Sequence, residues 1–575
     1  NNTAMGHNAL TANTTGSSNS AFGSTALDAN TTGSNQTAIG VGALSACTTG
    51  ESNTAIGQAS LSSLTTANDN TAVGRAALVS CNGGQNTALG YYAGQSVSTG
   101  TYNVLIGYNS AIAITTGTQN VAVGSLALDA NTTSSYHTAV GHAALGANTT
   151  GEYSVAIGRQ ALLSNTTGTR HVAIGNEALE NNTTGNYCVA IGFKALESNN
   201  GSSSCAVGYQ ALLDQTTGAS CNAFGFEALR ENNGNDNDAF GYQALYANTT
   251  GASNTAVGHK ALLNNTTADY NTAVGRYCMG VNTTGTRNVA VGSFALDASS
   301  TSSYNIAIGY ASLGSLTTGS TNTALGYNSA PTLTTGSENV ILGNSTCSDS
   351  GSTSYSTSVV IGADAVQGAA FTGGGNVVIG RQAGYRMSSA DGNVVIGQNC
   401  GDAATFSGND NVLIGKGNDL DTGARAGAVV IGYDMGTHAA DNTFRVMGAN
   451  GVYHTGNTTT WSTTSDERIK KDIVDSTVGL AEINKVKIRN FKYRTESEIT
   501  ASELQEYDLK DVAINDRNTQ VGVIAQEFET VFPNSVKEDD RGIKSVCEDE
   551  LLFAMVKAVQ ELSAEVEQLK SQINN

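Results

Sequence analysis

The sequence predicts a mainly β protein: a repetitive β-solenoid of about 17 residues per coil, followed by a small α+β domain that ends in a coiled-coil helix. The first observation is a pair of one apolar residue and a glycine, as in Ile56-Gly57 and Val73-Gly74, which recurs along most of the chain. The second is the composition, because 67 glycines, two prolines and 13% charged residues are not typical of a globular protein. Repeats of this length form one coil each and bury apolar side chains against neighbouring coils.

The repeat unit begins with a short strand, for which Thr54, Ala55 and Ile56 are representative. Alternation puts Thr54 and Ile56 on one face of this strand and Ala55 on the other. A glycine corner, a second segment that ends at Leu61 and a polar turn such as Asn-Thr-Thr-Gly at 30–33 complete the coil. Asn and Thr bond their own backbone in turns or stack between coils, so we expect each repeat position to form a column.

The middle residue of the strand is alanine in nearly every repeat from Ala4 to Ala324, and larger branched residues replace it from Ile341 onward. We interpret the alanine column as the seam of a homo-oligomer, because small residues let two surfaces approach closely. One coil has too few apolar side chains to bury much area alone, and cyclic trimers are the usual form of such fibres. The larger residues predict a wider cross-section from about residue 345.

These changes divide the chain into four predicted parts. We expect a regular solenoid shaft over residues 1–345, irregular and wider coils over 346–437, a β-rich neck over 438–464 and a separate domain over 465–575. The last boundary is the clearest, because the 465–575 segment holds 15 basic and 23 acidic residues, against 13 and 25 in the much longer segment before it.

Composition also excludes several function classes. The net charge of −20 disfavours a nucleic-acid partner, and no run approaches the roughly 18 apolar residues of a membrane span. The nine cysteines and seven histidines lie at scattered repeat positions without the spacing of a metal site. We therefore expect no cofactor, no metal and no membrane insertion, and cysteines that act as small core residues in a protein assembled in a reducing cytosol.

The C-terminal segment, about residues 551–573, has apolar residues at alternating intervals of three and four, with Lys and Glu between them. This is the pattern of a coiled-coil seam and supports a homotrimer independently of the shaft. The predicted seam consists of Leu552, Met555, Val559, Leu562, Val566, Leu569 and Ile573. For its first half, Leu551 to Leu562, a single amphipathic helix packed on its own domain is the alternative.

Three motifs follow the boundary at residue 465: SDERIKKDI at 465–473, IRNFKY at 488–493 and QVGVIAQE at 520–527. Their order and spacing, with the terminal heptads, resemble the self-cleaving intramolecular chaperone domain that ends bacteriophage tail spikes and fibres. The repeats before them resemble those of phage and viral fibres and, less closely, of trimeric bacterial adhesin heads. The resemblance to the chaperone covers residues 465–575.

The resemblance implies that this domain templates trimerisation of the shaft and then cuts the chain between Thr464 and Ser465. In that case Ser465 is the nucleophile and Lys470 the general base, with Lys471 as a less favoured substitute. A serine hydroxyl needs such a base, and a lysine serves only when desolvation lowers its pKa. The enzyme would be an autocatalytic serine–lysine endopeptidase that acts once on its own chain.

Two questions about this pair stay open in the sequence. Positions five apart lie about 140° apart around a helix, so either Ser465 precedes the helix or Ser465 and Lys470 pair across chains. The alternative without catalysis is a solvated helix start, in which Ser465 is the cap and the acidic residues complement the helix dipole. The chain itself runs uncut through Thr464 and Ser465.

The predicted function is therefore a trimeric virion tail fibre for host attachment, assembled in the host cytoplasm. Its partners would be its own copies, a host-surface receptor that is a glycan or a protein, and the tail or baseplate through a region before Asn1, since the first residues lie in phase with the repeat. The alternatives are a trimeric adhesin on the extracellular cell surface and a glycan-degrading tailspike. A catalytic carboxylate pair is not evident in the repeats, although one could form between chains.

Overall fold

The computed structural model describes residues 1–349, 351–402, 405–420, 424–434, 436–438, 444–446, 473–494, 518–538, 544–547 and 549–573. It divides into two compact units, Asn1–Asn411 with Asp419–Ala426, and Val412–Asn418 with Gly427–Asn575. The three domain boundaries drawn from the sequence stay predictions.

The first unit is a parallel β-solenoid of three-residue strands, one in each coil. Strands β1 to β12 are Thr3–Met5, Ser20–Phe22, Thr37–Ile39, Thr54–Ile56, Thr71–Val73, Thr87–Leu89, Val104–Ile106, Val121–Val123, Thr138–Val140, Val155–Ile157, Val172–Ile174 and Val189–Ile191. Strands β13 to β24 are Cys205–Val207, Asn222–Phe224, Asp238–Phe240, Thr255–Val257, Thr272–Val274, Val289–Val291, Ile306–Ile308, Thr323–Leu325, Val340–Leu342, Val359–Ile361, Val377–Ile379 and Val394–Ile396.

The later elements are short strands and three helices. Strands β25 to β33 are Val412–Ile414, Asn418–Leu420, Val429–Ile431, Gly436–His438, Phe444–Val446, Arg489–Phe491, Gln520–Gly522, Val536–Glu538 and Lys544–Val546. Helices α1 to α3 are Leu480–Ile483, Ala525–Glu529 and Asp549–Ile573, and Pro533–Ser535 forms one 3₁₀ turn.

Each strand of the solenoid pairs in parallel with the same strand of the next coil. Ala38 lies opposite Ala55 and Ile39 opposite Ile56, a step of one repeat, and the same register continues from β1 to β24. Equivalent residues therefore form columns, and the predicted β-solenoid of about 17 residues per coil is confirmed.

The alanine column lies inside the solenoid, so the interpretation of it as the seam of a homo-oligomer is wrong. Ala38 and Ala55 are 0% exposed, whereas Ile39 and Ile56, which point the other way, are 41% and 37% exposed. Alanine is required because opposite sides of one coil, within one chain, approach each other closely. The sequence gives the two faces of the strand, but closure of the coil decides which face is inside.

Large residues in the alanine column are compensated by small ones elsewhere in the core. Where the strand carries Leu105, the preceding coil has Gly94 in place of a buried leucine, and a Cβ on Gly94 would lie 2.5 Å from the Leu105 Cδ1 atom. Farther along, Gly384 stands in the same column near Val378, whose Cγ1 atom a Cβ there would approach to 3.2 Å. The interior volume is thus filled by columns that vary together.

Asparagines form a hydrogen-bonded ladder inside the solenoid, as the repeat predicts. The backbone N–H of Asn70 donates to Oδ1 of Asn53 at 2.9 Å, and that of Asn86 donates to Oδ1 of Asn70 at 2.9 Å. The side-chain amide of Asn103 also donates to the carbonyl oxygen of Gly117 at 3.0 Å. The ladder therefore satisfies buried backbone groups where the coil turns, directly before strand pairing begins.

The corner of each coil requires glycine. Gly57 has a φ of +133°, and a Cβ at this position would lie 2.4 Å from the carbonyl oxygen of Gly74 in the next coil. Successive corners approach each other so closely that no side chain fits between them.

The small C-terminal domain has its own core. Phe528 and Phe532 of the α2 region stack with ring centroids 5.0 Å apart, and they pack with Ala554 of α3. Partly buried residues around them are Val478, Ile483, Val486, Val523, Val531, Val536, Val546 and Leu551. Within the described parts of the chain, no helix combines the length and the apolar composition that crossing a membrane requires.

Candidate assembly and processing site

The second and third motifs of the C-terminal domain lie side by side in the structure. IRNFKY at 488–493 contains β30 and QVGVIAQE at 520–527 contains β31, and the two strands pair antiparallel with Phe491 opposite Gln520. The second of these motifs then continues into α2, which carries Phe528 into the core. The motif spacing is therefore the spacing of a folded unit.

A charged pair fastens these two motifs on the surface. Nε of Arg489 donates to Oε2 of Glu527 at 3.0 Å, and its Nη2 donates to Oε1 at 2.7 Å. This two-point contact with the Arg489 guanidinium lowers the pKa of the Glu527 carboxyl. Both side chains are solvent-accessible, so the pair sets orientation more than stability.

Helix α3 packs on the domain with one narrow face. Leu551 is partly buried, and Ala554 and Ala558 are almost completely buried. The small residues let the helix approach the Phe528–Phe532 pair closely. The alternative of a helix packed on its own domain thus describes this face of its first three turns.

The predicted seam is a different face of α3, and it is exposed. Leu552, Met555, Val559, Leu562, Val566, Leu569 and Ile573 are 50%, 42%, 65%, 49%, 41%, 56% and 82% exposed. An apolar row of this length on the surface of a single chain is typical of a helix that binds another surface. The predicted C-terminal helix is confirmed, and the coiled coil stays a prediction.

Glu561 joins α3 to α1. Its Oε2 atom accepts the backbone N–H of Leu480 at 2.9 Å, at the beginning of α1. Gly479 leaves room for this contact, because a Cβ there would lie 2.6 Å from the same oxygen. Lys557, one turn earlier, lies 4.0 Å from the other carboxylate oxygen. The helix that carries the seam is therefore oriented on the domain by Glu561.

The predicted processing residues lie outside the described residues. Thr464, Ser465, Lys470 and the substitute base Lys471 all precede Ile473, where description of the C-terminal domain begins. Their roles and the cleavage site therefore stay predictions.

Titratable groups also gather in the solenoid. Carboxylate oxygens of Glu177, Glu180 and Glu197 lie within 4.8 Å of one another. Lys194 pairs with Glu177 at 3.2 Å and with Glu197 at 2.9 Å, and Arg159 pairs with Glu177 at 2.7 Å. Two cations thus offset two of the three carboxylate charges, and the cluster forms an ion-pair network on the solenoid surface.

Two histidines stand inside the solenoid. Buried His137 and His171 occupy the column of the asparagine ladder, and the backbone N–H of Cys188 donates to Nδ1 of His171 at 3.3 Å. Burial lowers the pKa of both histidines to about 4. Burial also raises the pKa of the Cys47 and Cys81 thiols to about 11, which makes them unreactive core residues.

Comparison with known families identifies the C-terminal domain. Residues 465–537 match the model of a family described as the chaperone of endosialidase. A long parallel β-solenoid followed by this domain fits a tailspike or tail fibre with a C-terminal chaperone domain. The predicted resemblance of this segment is therefore confirmed. No curated protein matches the chain.

Two functional contacts could not be found in the sequence. Glu561 and Leu480 are 81 residues apart, and a glutamate between heptad positions is the usual residue of an exposed helix face. Arg489 and Glu527 are 38 residues apart, although each belongs to a motif that the sequence singles out. Only the pairing of β30 with β31 explains why they meet.

Proposed function

We propose that the protein is a virion tail fibre or spike that attaches to the host surface, and that its C-terminal domain brings three copies together before cutting itself off. The observation that carries the proposal is the exposed apolar seam on α3, within the domain whose beginning matches the endosialidase chaperone family. The solenoid supplies the long repetitive body that an attachment fibre needs. A cell-surface adhesin stays the alternative.

The seam is sufficient to drive association. Its seven side chains are about half exposed in one chain. Covering the exposed half of a Leu, Ile, Val or Met side chain contributes about 1 kcal/mol, so the seam contributes about 7 kcal/mol for each chain. Heptad spacing directs this energy to a bundle of like helices. The packing of Ala554 and Ala558 and the Glu561 contact hold α3 on the domain, so bundling of the helices also brings the domains together.

Cleavage follows association in this proposal. The Oγ atom of Ser465 attacks the carbonyl carbon of Thr464, while Lys470 takes the hydroxyl proton and passes it to the departing backbone nitrogen of Ser465. Water then hydrolyses the resulting ester and frees the fibre. Lys470 can act as a base only when desolvated, and packing of three domains supplies that desolvation.

Native mass spectrometry of the full chain tests the assembly step. The variant Val559→Asp with Val566→Asp places charges in the seam, and we expect a monomer. The matched control, Gln560→Asp with Gln568→Asp, adds the same charges to exposed positions beside the seam, and its trimeric mass is expected to equal that of the parent. A trimer that survives the seam variant would contradict the assembly step.

Denaturing mass measurement tests the processing step. We expect a fragment that ends at Thr464 in the parent and its absence in Ser465→Ala, with the same native trimeric mass before cleavage. The seam variant is expected to remain uncut, because cutting depends on association. An uncut parent that forms a trimer would remove the peptidase role and leave the chaperone role.

A further inference from the structure

A ladder of aromatic rings runs along one corner of the solenoid. It has one ring in each of nine consecutive coils from Phe193 to Tyr327, eight of them Phe or Tyr and the fifth the imidazole of His259. Each ring is at the first or second residue after the corner glycine, and successive ring centroids are 4.9–5.9 Å apart. Its most exposed members are Phe193, Tyr209, Phe226, Tyr242, Tyr310 and Tyr327, at 38–52%. The column has Asn176 in the coil before the ladder and Asn344 in the coil after it.

The rings present their edges to solvent. Most neighbours in the ladder are nearly parallel, for example Tyr209 and Phe226 with an interplanar angle of 8°, and Phe226 and Tyr242 with 9°. Ring faces therefore cover one another along most of the column, and the exceptions are His259–Tyr277 and Phe294–Tyr310, with interplanar angles of 57° and 79°. A sugar ring, or another flat ligand, stacks on an aromatic face, so the parallel stretches of the ladder are closed to that mode of binding. Its edges remain available to apolar side chains.

Charge gives the ladder no preference for an ionic ligand. Lys194 and Arg276 border it, and Arg276 lies over the rings of Tyr277 and Phe294 at 5.0 and 5.3 Å. Lys194 is paired with two glutamates, and Glu227 carries negative charge on the same corner. The two signs are mixed, which excludes the single-sign field that selects a polyanion.

The apolar surface continues around the corner onto the strands. Ile191, Phe240 and Leu325, the last residues of β12, β15 and β20, are 37–48% exposed. A whole aromatic side chain has a surface of roughly 200 Å², so the six most exposed rings together present roughly 500 Å² of accessible surface to solvent. A specific interface buries about 800 Å² on each partner, and the outward strand residues of the same coils supply the difference.

We propose that this surface, the aromatic ladder with the outward strand residues of the same coils, is where parallel copies of the solenoid pack on one another. A partner must offer apolar groups at the same interval over nine coils, and a second copy of this chain repeats with that interval. The ladder also fixes the register, because a slip by one coil sets an end ring against Asn176 or Asn344. The inference rests on the proposed self-association and names its surface in the solenoid.

Site-specific photocrosslinking of the full chain tests this surface. Benzoylphenylalanine in place of Tyr242 is expected to give covalent dimers and trimers on a denaturing gel. The matched control places the same group at Tyr270, which is more exposed but lies at another corner of a ladder coil. We expect at least tenfold fewer interchain products from the control.

The outcomes separate the two proposals. Equal yields from the two positions, or no interchain product at Tyr242 in protein of trimeric native mass, would overturn the surface and leave the proposed function intact. Attachment of the probe at Tyr242 to an added host glycan in place of a second chain would also overturn it. A monomeric native mass of the parent would contradict the self-association itself.

Discussion

Replacing Asn103 with alanine removes one rung of the asparagine ladder without changing the strands. In the parent, Oδ1 of Asn103 accepts the backbone N–H of Asn120 at 3.0 Å, and its side-chain amide donates to the Gly117 carbonyl at 3.0 Å. Asn103 and Asn120 are both 0% exposed, so water cannot replace the lost bonds. Each buried group left unpaired costs about 1–3 kcal/mol, and two such groups lower the local free energy of unfolding by about 4 kcal/mol.

Hydrogen exchange is the suitable assay, because a repeat protein opens locally and global unfolding mixes many coils. The amide of Asn120 is expected to exchange about a thousandfold faster in Asn103→Ala, at tenfold for each 1.4 kcal/mol. Asn103→Ser is the matched variant, since Ser154 holds the same column and its Oγ accepts the N–H of His171 at 3.3 Å. Its expected loss is about half as large. Exchange within threefold of the parent in Asn103→Ala would refute the role of the ladder.

Three further perturbations follow from the same geometry. Gly57→Ala forces a Cβ against the next corner and should lower the free energy of unfolding by more than about 3 kcal/mol. In the control Gly42→Ala the new Cβ meets nothing within 4 Å, and the free energy of unfolding should fall by about 1 kcal/mol. Urea unfolding followed by hydrogen exchange compares the two variants. His137 and His171 have a pKa of about 4 when folded and a higher one when unfolded, so the unfolded chain takes up protons first. Stability should therefore fall by about 3 kcal/mol for each histidine as the pH falls from about 6.5 to 4, and a double His→Asn variant, which restores the ladder, should not show this fall in pH-dependent melting. Glu561→Ala removes the cap of α1 and should lower the stability of the C-terminal domain by about 1 kcal/mol in thermal unfolding, with Glu565→Ala as the control.

The period of the repeat predicts the coils well, because the conformation of every coil is determined by the same local interactions. A three-residue strand, a glycine corner and an asparagine turn are each dictated by nearest neighbours in the chain or in the next coil. The prediction that Ala55 faces a neighbouring chain is wrong, because its environment is decided by the whole coil and not by its nearest neighbours. Alternation separates Ala55 from Ile56, but only closure of the whole coil determines that alanine faces inward.

The candidate site was predictable to the extent that its parts are periodic or belong to motifs. The α3 seam follows from heptad spacing, and the structure finds it exposed, as a seam in a single chain must be. Glu561 has no sequence signal, because its partner is the backbone N–H of Leu480 and any residue provides one. Contacts between a side chain and a distant backbone are set by tertiary packing alone.

Near-identical coils create a problem of register that the proposed chaperone would solve. A slip of one coil between two solenoids still sets corner glycines and outward isoleucines in equivalent positions, so most of the shaft distinguishes registers weakly. The exception is the aromatic ladder on the surface, because its column has Asn176 before the first ring and Asn344 after the last. If three copies first meet through α3, their chains begin in the same register, and the ladder then rejects any slip that occurs while the shaft packs. Folding from the C-terminal domain toward the shaft therefore gives a defined fibre, whereas association that began in the repeats would allow many registers.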